Sequence, residues 1–256
     1  MSKSIFITGA AQGIGKATAQ LFASKGWSVG LYDMNPTTLE QTKMKIGAMA
    51  TAYVGSVTDN DTLKSALEDF AKKHNNQLDV LVNNAGILKV GELDELPLEA
   101  HEAIIDVNLK GVFKTTYFAL PFLKDAKNSH IINLSSASAI FGQPEITAYA
   151  ATKAAVKSMT EGLNMSLEKH GIIVSDLLPI FVKTPMVENN YGSMGVQDPS
   201  DVKLTPAMVA NVVWKAAHSK KIHWTVGTDT KALYLLSGLF PTSWLKFITK
   251  KVIKYE

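Results

Sequence analysis

A tyrosine and a lysine four residues apart could together transfer a proton. Tyr149 and Lys153 belong to the stretch YAATK, and residues with this spacing share one face of a helix. A free tyrosine has a pKa of about 10, so it exchanges protons poorly at neutral pH unless a nearby positive charge stabilises the phenolate. Lys153 could supply that charge. The pair predicts a general acid/base, although many such pairs are ordinary helix surface.

A glycine-rich turn near the N-terminus has the composition of a phosphate-binding loop. The apolar residues 4–8 predict a buried strand, the segment GAAQGIG follows, and residues 16–25 show a helical pattern. Gly9 permits a tight turn, Gly13 lets the backbone approach a pyrophosphate, and Gly15 lets the helix pack close to the strand. The N–H groups and dipole of the helix would then attract phosphates. An ordinary loop is the alternative.

An aspartate at the end of the next predicted strand favours NAD over NADP. Asp33 follows the run 27–32, where an acidic side chain can accept hydrogen bonds from the adenosine ribose. A 2′-phosphate would meet this carboxylate, and neither Gln12 nor Met34 offers a positive charge to hold it. The alternative is an aspartate that begins the turn at residues 33–36.

These motifs, in this order and at this spacing, resemble those of the short-chain dehydrogenase/reductase family in its single-domain form. The segment TGAAQGIG resembles the family's cofactor turn, NNAG at residues 83–86 its strand-end motif, and Asn108 its helix asparagine. Ser136 and the YAATK motif complete the set. The resemblance runs from about residue 3 to about residue 228.

The resemblance implies a role for each residue of the proton-transfer set. Tyr149 would be the general acid/base, and Ser136 would hydrogen-bond the substrate oxygen. Lys153 would lower the pKa of Tyr149 and bind the nicotinamide ribose, while Asn108 would hold a water that links Lys153 to solvent. The family's serine lies thirteen positions before the tyrosine, which selects Ser136 over Ser135.

The resemblance also implies a set of contacts with the dinucleotide. Ser56 stands where many members place an aspartate against the adenine amino group, so adenine is expected to bind more weakly. Ile180 replaces a usual glycine, and a β-branched residue does not readily adopt a positive φ, so the chain path is expected to differ there. The expected cofactor-binding residues are Gly9, Gln12, Gly13, Ile14, Gly15, Asp33, Val57, Asn83, Gly86, Tyr149, Lys153, Val182 and Thr184.

Apolar runs alternate with helical patterns along the chain. This alternation predicts right-handed crossovers and an α/β fold, a Rossmann-type three-layer sandwich whose doubly wound, mostly parallel sheet carries helices on both faces. A single domain is expected over residues 1–256, with residues 229–256 as an apolar and amphipathic C-terminal extension. Strands are expected near Ser4, Ser28, Ala50, Leu78, His130, Ile172 and Ile222.

Apolar side chains are expected to form the substrate pocket. Such a pocket favours a secondary alcohol or ketone on a lipophilic body, whereas the alternative is that these residues simply close the core. They lie after residue 184 and at the ends of the active-site strands: Met186, Val187, Tyr191, Met194, Ile87, Leu88, Ile140 and Phe141.

Composition excludes several classes of function. The net charge is +3 with scattered basic residues, so a nucleic-acid partner is not expected. The chain has no cysteine and its six histidines show no ligand spacing, so no metal is expected. The first predicted strand begins within a few residues of the N-terminus, which leaves no room for a signal peptide and predicts cytoplasmic residence.

Two further patterns concern partners. A predicted helix at residues 147–170 carries the apolar stripe Ala151, Ala155, Val156 and Met159, and the resemblance implies a homodimer or homotetramer; a helix packed only on its own sheet would show the same stripe. The C-terminal segment predicts a basic amphipathic helix that could contact a membrane peripherally, whereas covering the cleft or packing on another subunit is the favoured alternative. Its apolar side comprises Trp244, Leu245, Ile248 and Val252, and its basic side Lys246, Lys250 and Lys254.

The sequence therefore predicts an NAD-dependent alcohol dehydrogenase or ketone reductase that acts on CH–OH groups. The alternative is a catalytically silent, dinucleotide-responsive binding or scaffold protein. Ser136, Tyr149 and Lys153 favour the enzyme, because a pure binding protein has no need of a proton-transfer set.

Overall fold

Seven parallel strands form one sheet in the part of the chain that the computed structural model describes, namely residues 2–191, 198–237, 241, 243–244 and 246–247. Their order is β3-β2-β1-β4-β5-β6-β7. The order reverses between β1 and β4, which makes the sheet doubly wound and places a crevice at the carboxyl ends of these strands. The strands are β1 (Ser4–Thr8), β2 (Ser28–Asp33), β3 (Ala50–Val54), β4 (Val80–Asn83), β5 (His130–Leu134), β6 (Ile173–Pro179) and β7 (His223–Val226).

Helices cover both faces of this sheet. Side chains alternate along each strand, so that Ile5 and Ile7 of β1 pack in one hydrophobic cluster and Phe6 in the other. The first cluster includes residues of α1, α2 and α8, and the second includes residues of α3, α5 and α6. The helices are α1 (Gly13–Ser24), α2 (Pro36–Ile46), α3 (Asn60–Lys72), α4 (Leu98–Ile105), α5 (Gly111–Asp125), α6 (Thr147–Leu167), α7 (Pro185–Glu188), α8 (Pro206–Ala216) and α9 (Thr228–Ser237).

The Rossmann-type sandwich expected from the sequence is confirmed. All seven predicted strand positions coincide with a strand or lie within two residues of one. The predicted helix at 147–170 ends as an α-helix at Leu167 and continues as a 3₁₀ turn to His170, after which Gly171 adopts a left-handed φ of 71°. The single domain over residues 1–256 stays a prediction.

A ladder of buried amides joins the middle of the sheet to the helices on one face. Asn83 and Asn133 are paired in the register of β4 and β5. The Nδ2 of Asn83 donates to the Oδ1 of Asn133 at 2.9 Å and to the Oγ1 of Thr116 at 3.1 Å, and the Nδ2 of Asn133 donates to the Oγ1 of Thr160 at 2.9 Å. Buried polar groups that satisfy one another fix a unique arrangement, so these bonds set α5 and α6 against the strand ends.

Only part of the predicted C-terminal extension lies within the described residues. Helix α9 begins at Thr228, one residue before the predicted extension 229–256, and continues into it as far as Ser237. Most of the predicted amphipathic helix lies outside the described residues, including Leu245, Ile248, Lys250, Val252 and Lys254, so it stays a prediction. Among the residues that the structure describes, no helix is both long and apolar enough to cross a bilayer.

Gly15 provides a test of how tightly α1 packs on β1. A Cβ at this position would overlap the carbonyl oxygen of Gly9 and lie 2.6 Å from the Nδ2 of Asn84. We expect Gly15→Ala to push the turn out of place and lower the free energy of unfolding by about 1–3 kcal/mol in urea titrations.

The matched control for this substitution is Gly162→Ala in α6, where a Cβ meets no atom within 4 Å. Alanine is the better helix former, so this change should raise stability by about 0.5–1 kcal/mol. Equal effects of the two substitutions would contradict the packing described for Gly15.

Candidate active site

A cavity of about 700 Å³ opens along the carboxyl ends of the strands, where the order of the sheet reverses. Its lining includes the segments that follow β1, β2, β3, β4, β5 and β6, together with the first turns of α1, α2 and α6. Among the described residues, the charged side chains in that lining are Asp33 and Lys153. The other described residues of the wall are neutral, and many of them are apolar.

The proton-transfer pair lies in the first two turns of α6. Lys153 is 5 % exposed, and its Nζ lies 5.5 Å from the centre of the Tyr149 ring. The same Nζ donates a hydrogen bond of 2.7 Å to the carbonyl oxygen of Leu134, the last residue of β5. Burial lowers the pKa of Lys153 to about 8, because an ammonium group loses hydration in the interior.

Tyr149 keeps its proton at neutral pH in this structure. Burial raises the pKa of its hydroxyl to about 12, and a side-chain hydrogen bond with Ser136 acts in the opposite direction. Lys153 is not among the causes of this shift, so the expectation that it lowers the pKa of Tyr149 stays a prediction. The ammonium group of Lys153 bonds to the carbonyl of Leu134, so desolvation dominates at Tyr149. A protonated phenol is suited to donate a proton to a neighbouring oxygen.

Three serines follow β5 and differ in their contacts. Ser135 donates from Oγ to the carbonyl of Lys153 at 2.9 Å, which ties the end of β5 to α6 and agrees with its expected structural role. Ser136 lines the cavity, and its Oγ accepts a bond from the backbone N–H of Ser138 at 3.1 Å. Its hydroxyl proton stays available to Tyr149 or to a bound molecule. The Oγ of Ser138 is buried at the cavity without a hydrogen-bond partner among the described residues.

Asn108 supports the wall of the cavity and does not line it. It lies in a π-helical segment, Asp106–Lys110, that joins α4 to α5. Its Nδ2 donates to the carbonyl of Ile87 at 2.9 Å, and its Oδ1 accepts from the N–H of Ile87 at 2.8 Å. A Cβ added to Gly86 would lie 3.3 Å from the Oδ1 of Asn108 and 3.7 Å from the Nζ of Lys153. The side chain therefore holds the loop after β4 close to Lys153.

The glycine turn forms one wall of the cavity. Gly9, Gln12, Gly13 and Ile14 line the cavity, and Gly9 and Gly13 adopt φ angles of +66° and +56°. Helix α1 begins at Gly13, and its N-cap residue Gln12 makes no side-chain capping bond. The N–H groups of the first turn thus have no side-chain acceptor and can meet a pyrophosphate. Gly15 lies behind this wall, where it lets α1 approach Gly9.

The second asparagine of the strand-end motif is the one that reaches the cavity. Asn84 donates from Nδ2 to the carbonyl oxygens of Thr8 at 3.0 Å and Gly9 at 2.9 Å, and so holds the glycine turn. Asn83, the expected cofactor neighbour, turns away into the buried amide ladder and does not line the cavity. The end of β4 at Asn83 explains this difference, because a side chain within the strand stays between sheet and helix whereas the next one is free to turn.

Asp33 stands where the sequence predicts a ribose-binding carboxylate. It lines the cavity at the end of β2, its Oδ2 accepts from the N–H of Ala11 at 3.0 Å, and its Oδ1 accepts from the N–H of Asn35 at 3.0 Å. Each oxygen keeps capacity for a further hydrogen bond. In the segment after the neighbouring strand β3, Val57 also lines the wall, and the Oγ of Ser56 pairs with the Oγ1 of Thr58 at 2.7 Å.

The segment after β6 closes the other end of the cavity. Ile180, Val182 and Thr184 all line it, and Ile180 does not adopt a positive φ, as expected for a β-branched residue. Val182 pairs with Leu204 in an isolated parallel bridge that fixes the segment.

The expected substrate residues divide into three groups. Five line the cavity, namely Ile87, Leu88, Phe141, Met186 and Val187. Ile140 and Tyr191 do not, and Met194 lies outside the described residues. The cavity is also lined by Gln143, Ile146 and Leu233, which were not expected from the sequence.

Comparison with known proteins agrees with this geometry. A family model described as short chain dehydrogenase matches residues 3–194. The chain belongs to the short-chain dehydrogenase family. It is 40 % identical over 189 residues to a 3-oxoacyl-(acyl-carrier-protein) reductase of Thermotoga maritima, covering 73 % of this chain and 76 % of that protein. It is 34 % identical over 204 residues to the oxidoreductase UcpA of Escherichia coli, covering 78 % and 77 %.

Solved structures show the same family likeness. A 3-ketoacyl-(acyl-carrier-protein) reductase of Brucella melitensis complexed with NADH has a TM-score of 0.80 and 28 % identity, and the match covers 88 % of this chain and 96 % of that one. A second Brucella melitensis reductase, with bound NAD, has a TM-score of 0.75 and 29 % identity over 88 % and 89 %.

The lowered pKa of Lys153 predicts a pH dependence of stability. The folded chain releases this proton near pH 8, whereas the unfolded chain holds it up to the ordinary value of 10.5. The unfolded state therefore binds more protons between these values, and the free energy of unfolding rises with pH across this window. Relative to Lys153→Met, wild type should gain about 3 kcal/mol between pH 7 and pH 10.5 in urea titrations.

Lys64→Met serves as the control, because Lys64 lies on the exposed surface of α3. The stability difference between wild type and this variant should stay constant over the same range. If the difference between wild type and Lys153→Met also stays constant, the buried lysine described here is contradicted.

Proposed function

We propose that this protein transfers a hydride between NAD(H) and a secondary alcohol or ketone carried on a hydrophobic body. The observation that carries the proposal is the meeting of Ser136, Tyr149 and Lys153 in the same cavity as the glycine turn. One cavity thus offers a wall for a pyrophosphate and a phenol that holds a transferable proton.

The cofactor side of the cavity fits a dinucleotide. The open first turn of α1 would hold the pyrophosphate, Asp33 the adenosine ribose, and Val182 and Thr184 the carboxamide end, while Lys153 would bind the second ribose. The Brucella reductases named for NADH and NAD support this assignment. When bound, the nicotinamide ring supplies or accepts the hydride.

The residues of α6 and β5 would manage the proton. Tyr149 is protonated at neutral pH and would donate to the carbonyl oxygen of a ketone as negative charge develops on it. The hydroxyl of Ser136 would donate a second hydrogen bond to that oxygen. The ammonium of Lys153, 5.5 Å from the ring, would stabilise the phenolate that remains. In alcohol oxidation the same groups would act in reverse.

The wall beyond the proton-transfer set favours a neutral, apolar substrate. Ile87, Leu88, Phe141, Met186 and Val187 line the cavity, and among the described residues its charged lining side chains are Asp33 and Lys153. A charged substrate body would lose its hydration there without gaining a partner. The 3-oxoacyl group in the name of the Thermotoga relative is a ketone on an acyl chain and falls within the proposed class.

Assembly and location complete the proposal. We infer a homodimer or homotetramer, because α5 exposes Phe113 and Tyr117, whose exposed fractions are 53 % and 74 %. In the predicted stripe on α6, Val156 is buried in the chain's own core, whereas Ala151 is exposed. Peripheral membrane contact and cytoplasmic residence stay predictions.

Replacing Tyr149 with Phe separates an enzyme from a silent binding protein. The variant keeps the ring that packs in the cavity and loses only the hydroxyl, so NADH should bind as in wild type. Ketone reduction should fall about 10²–10⁴-fold, since general acid catalysis contributes that much. Steady-state rates followed by nicotinamide absorbance provide the measurement.

Tyr117→Phe is the control, because this tyrosine lies exposed on α5 outside the cavity. It should reduce ketones at the wild-type rate. An unchanged rate for Tyr149→Phe would remove Tyr149 as the acid, and wild type without turnover on any ketone would favour the silent binding protein.

The carboxylate of Asp33 predicts a preference for NADH over NADPH. Asp33→Asn keeps an oxygen that can accept hydrogen bonds and removes the charge that repels a 2′-phosphate. The ratio of NADPH to NADH affinity should therefore rise about ten-fold or more, an effect of about 1.4 kcal/mol, in fluorescence titrations. Asp125→Asn, on the exposed end of α5, should leave the ratio unchanged. A wild-type preference for NADPH would refute the assignment.

A further inference from the structure

Leu233 reaches the cavity from outside the segment that matches the family model. The model matches residues 3–194, whereas Leu233 lies on α9, which follows the last strand of the sheet. Among the described residues of α9, Leu233 is the one that lines the cavity. The roles proposed above for binding the cofactor and transferring the proton do not use this apolar side chain.

The chain enters α9 through a short, fixed turn. Strand β7 ends at Val226, and Gly227 adopts a φ of +96°, which an L side chain rarely takes. The N–H of Lys231 then bonds to the carbonyl of Gly227 at 3.3 Å, and Thr230 is fully buried. With a single residue between strand and helix, the direction of α9 depends directly on the sheet.

A polar cluster lies beneath α9 and contacts it through Tyr234. Its centre is His223 of β7, whose Nδ1 lies 2.8 Å from the Oδ1 of Asp176 and whose Nε2 lies 3.2 Å from the Oε1 of Glu161. Lys157 completes the cluster with a bond of 2.6 Å to the same Oε1. The ring of Tyr234 packs against the His223 ring with centres 6.0 Å apart. Tyr234 thus places one side of α9 on a network that joins β6, β7 and α6.

The faces of α9 follow from this anchor. Tyr234 faces the cluster, its neighbour Leu233 lines the cavity, and Leu235 is 59 % exposed. Leu233 therefore forms a wall whose position is set by the fold. Methylene groups in an apolar pocket change discrimination between substrates by roughly 10–200-fold, so one leucine is enough to limit substrate size.

We propose that Leu233 is a specificity-determining residue that limits the size of the apolar body of the substrate. The inference rests on the proposed function, because Leu233 lines the same cavity, and α9 follows β7, which lies beside β6 and at the opposite edge of the sheet from β2 and Asp33. Shortening this side chain extends the cavity, and enlarging it fills the space.

The first test compares kcat/KM for a small and a bulky apolar ketone. Leu233→Ala should raise the ratio of bulky to small by about ten-fold, and Leu233→Trp should lower it by a similar factor. Leu235→Ala and Leu235→Trp, on the exposed side of the same helix, should leave the ratio at the wild-type value. If both Leu233 variants keep the wild-type ratio while wild type reduces ketones, the inference is overturned and the proposed function stands.

The second test does not depend on turnover. The fluorescent aryl ketone prodan is titrated into each protein in the presence of NAD⁺, which cannot reduce it. Leu233→Trp should weaken prodan binding about ten-fold or more, whereas Leu235→Trp should not. That result would show that Leu233 limits the binding of an apolar ketone, whether or not wild type reduces the ketone. Wild type that does not bind prodan, or equal binding by both tryptophan variants, would overturn the inference.

Discussion

The burial of one ammonium group against the end of a strand organises the site. The Nζ of Lys153 is buried, donates a hydrogen bond to the carbonyl of Leu134 and lies close to the ring of Tyr149. The hydroxyl of Ser135 holds the backbone of the same lysine from β5. Desolvation lowers the pKa of the lysine and raises that of the tyrosine, so both groups are brought away from their ordinary values by the same enclosure. Such paired shifts are typical of groups that exchange protons.

The fold supplies that enclosure by polar bonds rather than by apolar packing alone. The amide ladder of Asn83 and Asn133 fixes α5 and α6 at the ends of the central strands, and Asn108 fixes the loop beyond β4. Asn84 holds the glycine turn from the other side. Each of these amides bonds to backbone or to another buried side chain, and such bonds favour one arrangement of the cavity walls before any molecule enters. Preorganised walls of this kind reduce the cost of orienting a substrate.

The sequence predicts the fold and the chemical centre well, because both depend on local pattern. Alternating apolar runs identify the strands, and the spacing of Tyr149 and Lys153 places them on one face of α6. Which of Asn83 and Asn84 reaches the cavity depends instead on the residue at which β4 ends, and composition does not reveal that residue. The raised pKa of Tyr149 depends on burial created by distant segments. The position of Leu233 could not be predicted from the sequence either, since it depends on the turn at Gly227 and on the contact of Tyr234 with His223.

The central claim is that a protonated Tyr149 and the hydroxyl of Ser136 meet the oxygen of an apolar ketone. A crystal structure of this protein with NAD⁺ and prodan tests it most directly. We expect the ketone oxygen to lie within hydrogen-bonding distance, about 2.6–3.2 Å, of both the Oη of Tyr149 and the Oγ of Ser136. A ketone oxygen bound to other groups, with Tyr149 turned away from it, would contradict the account.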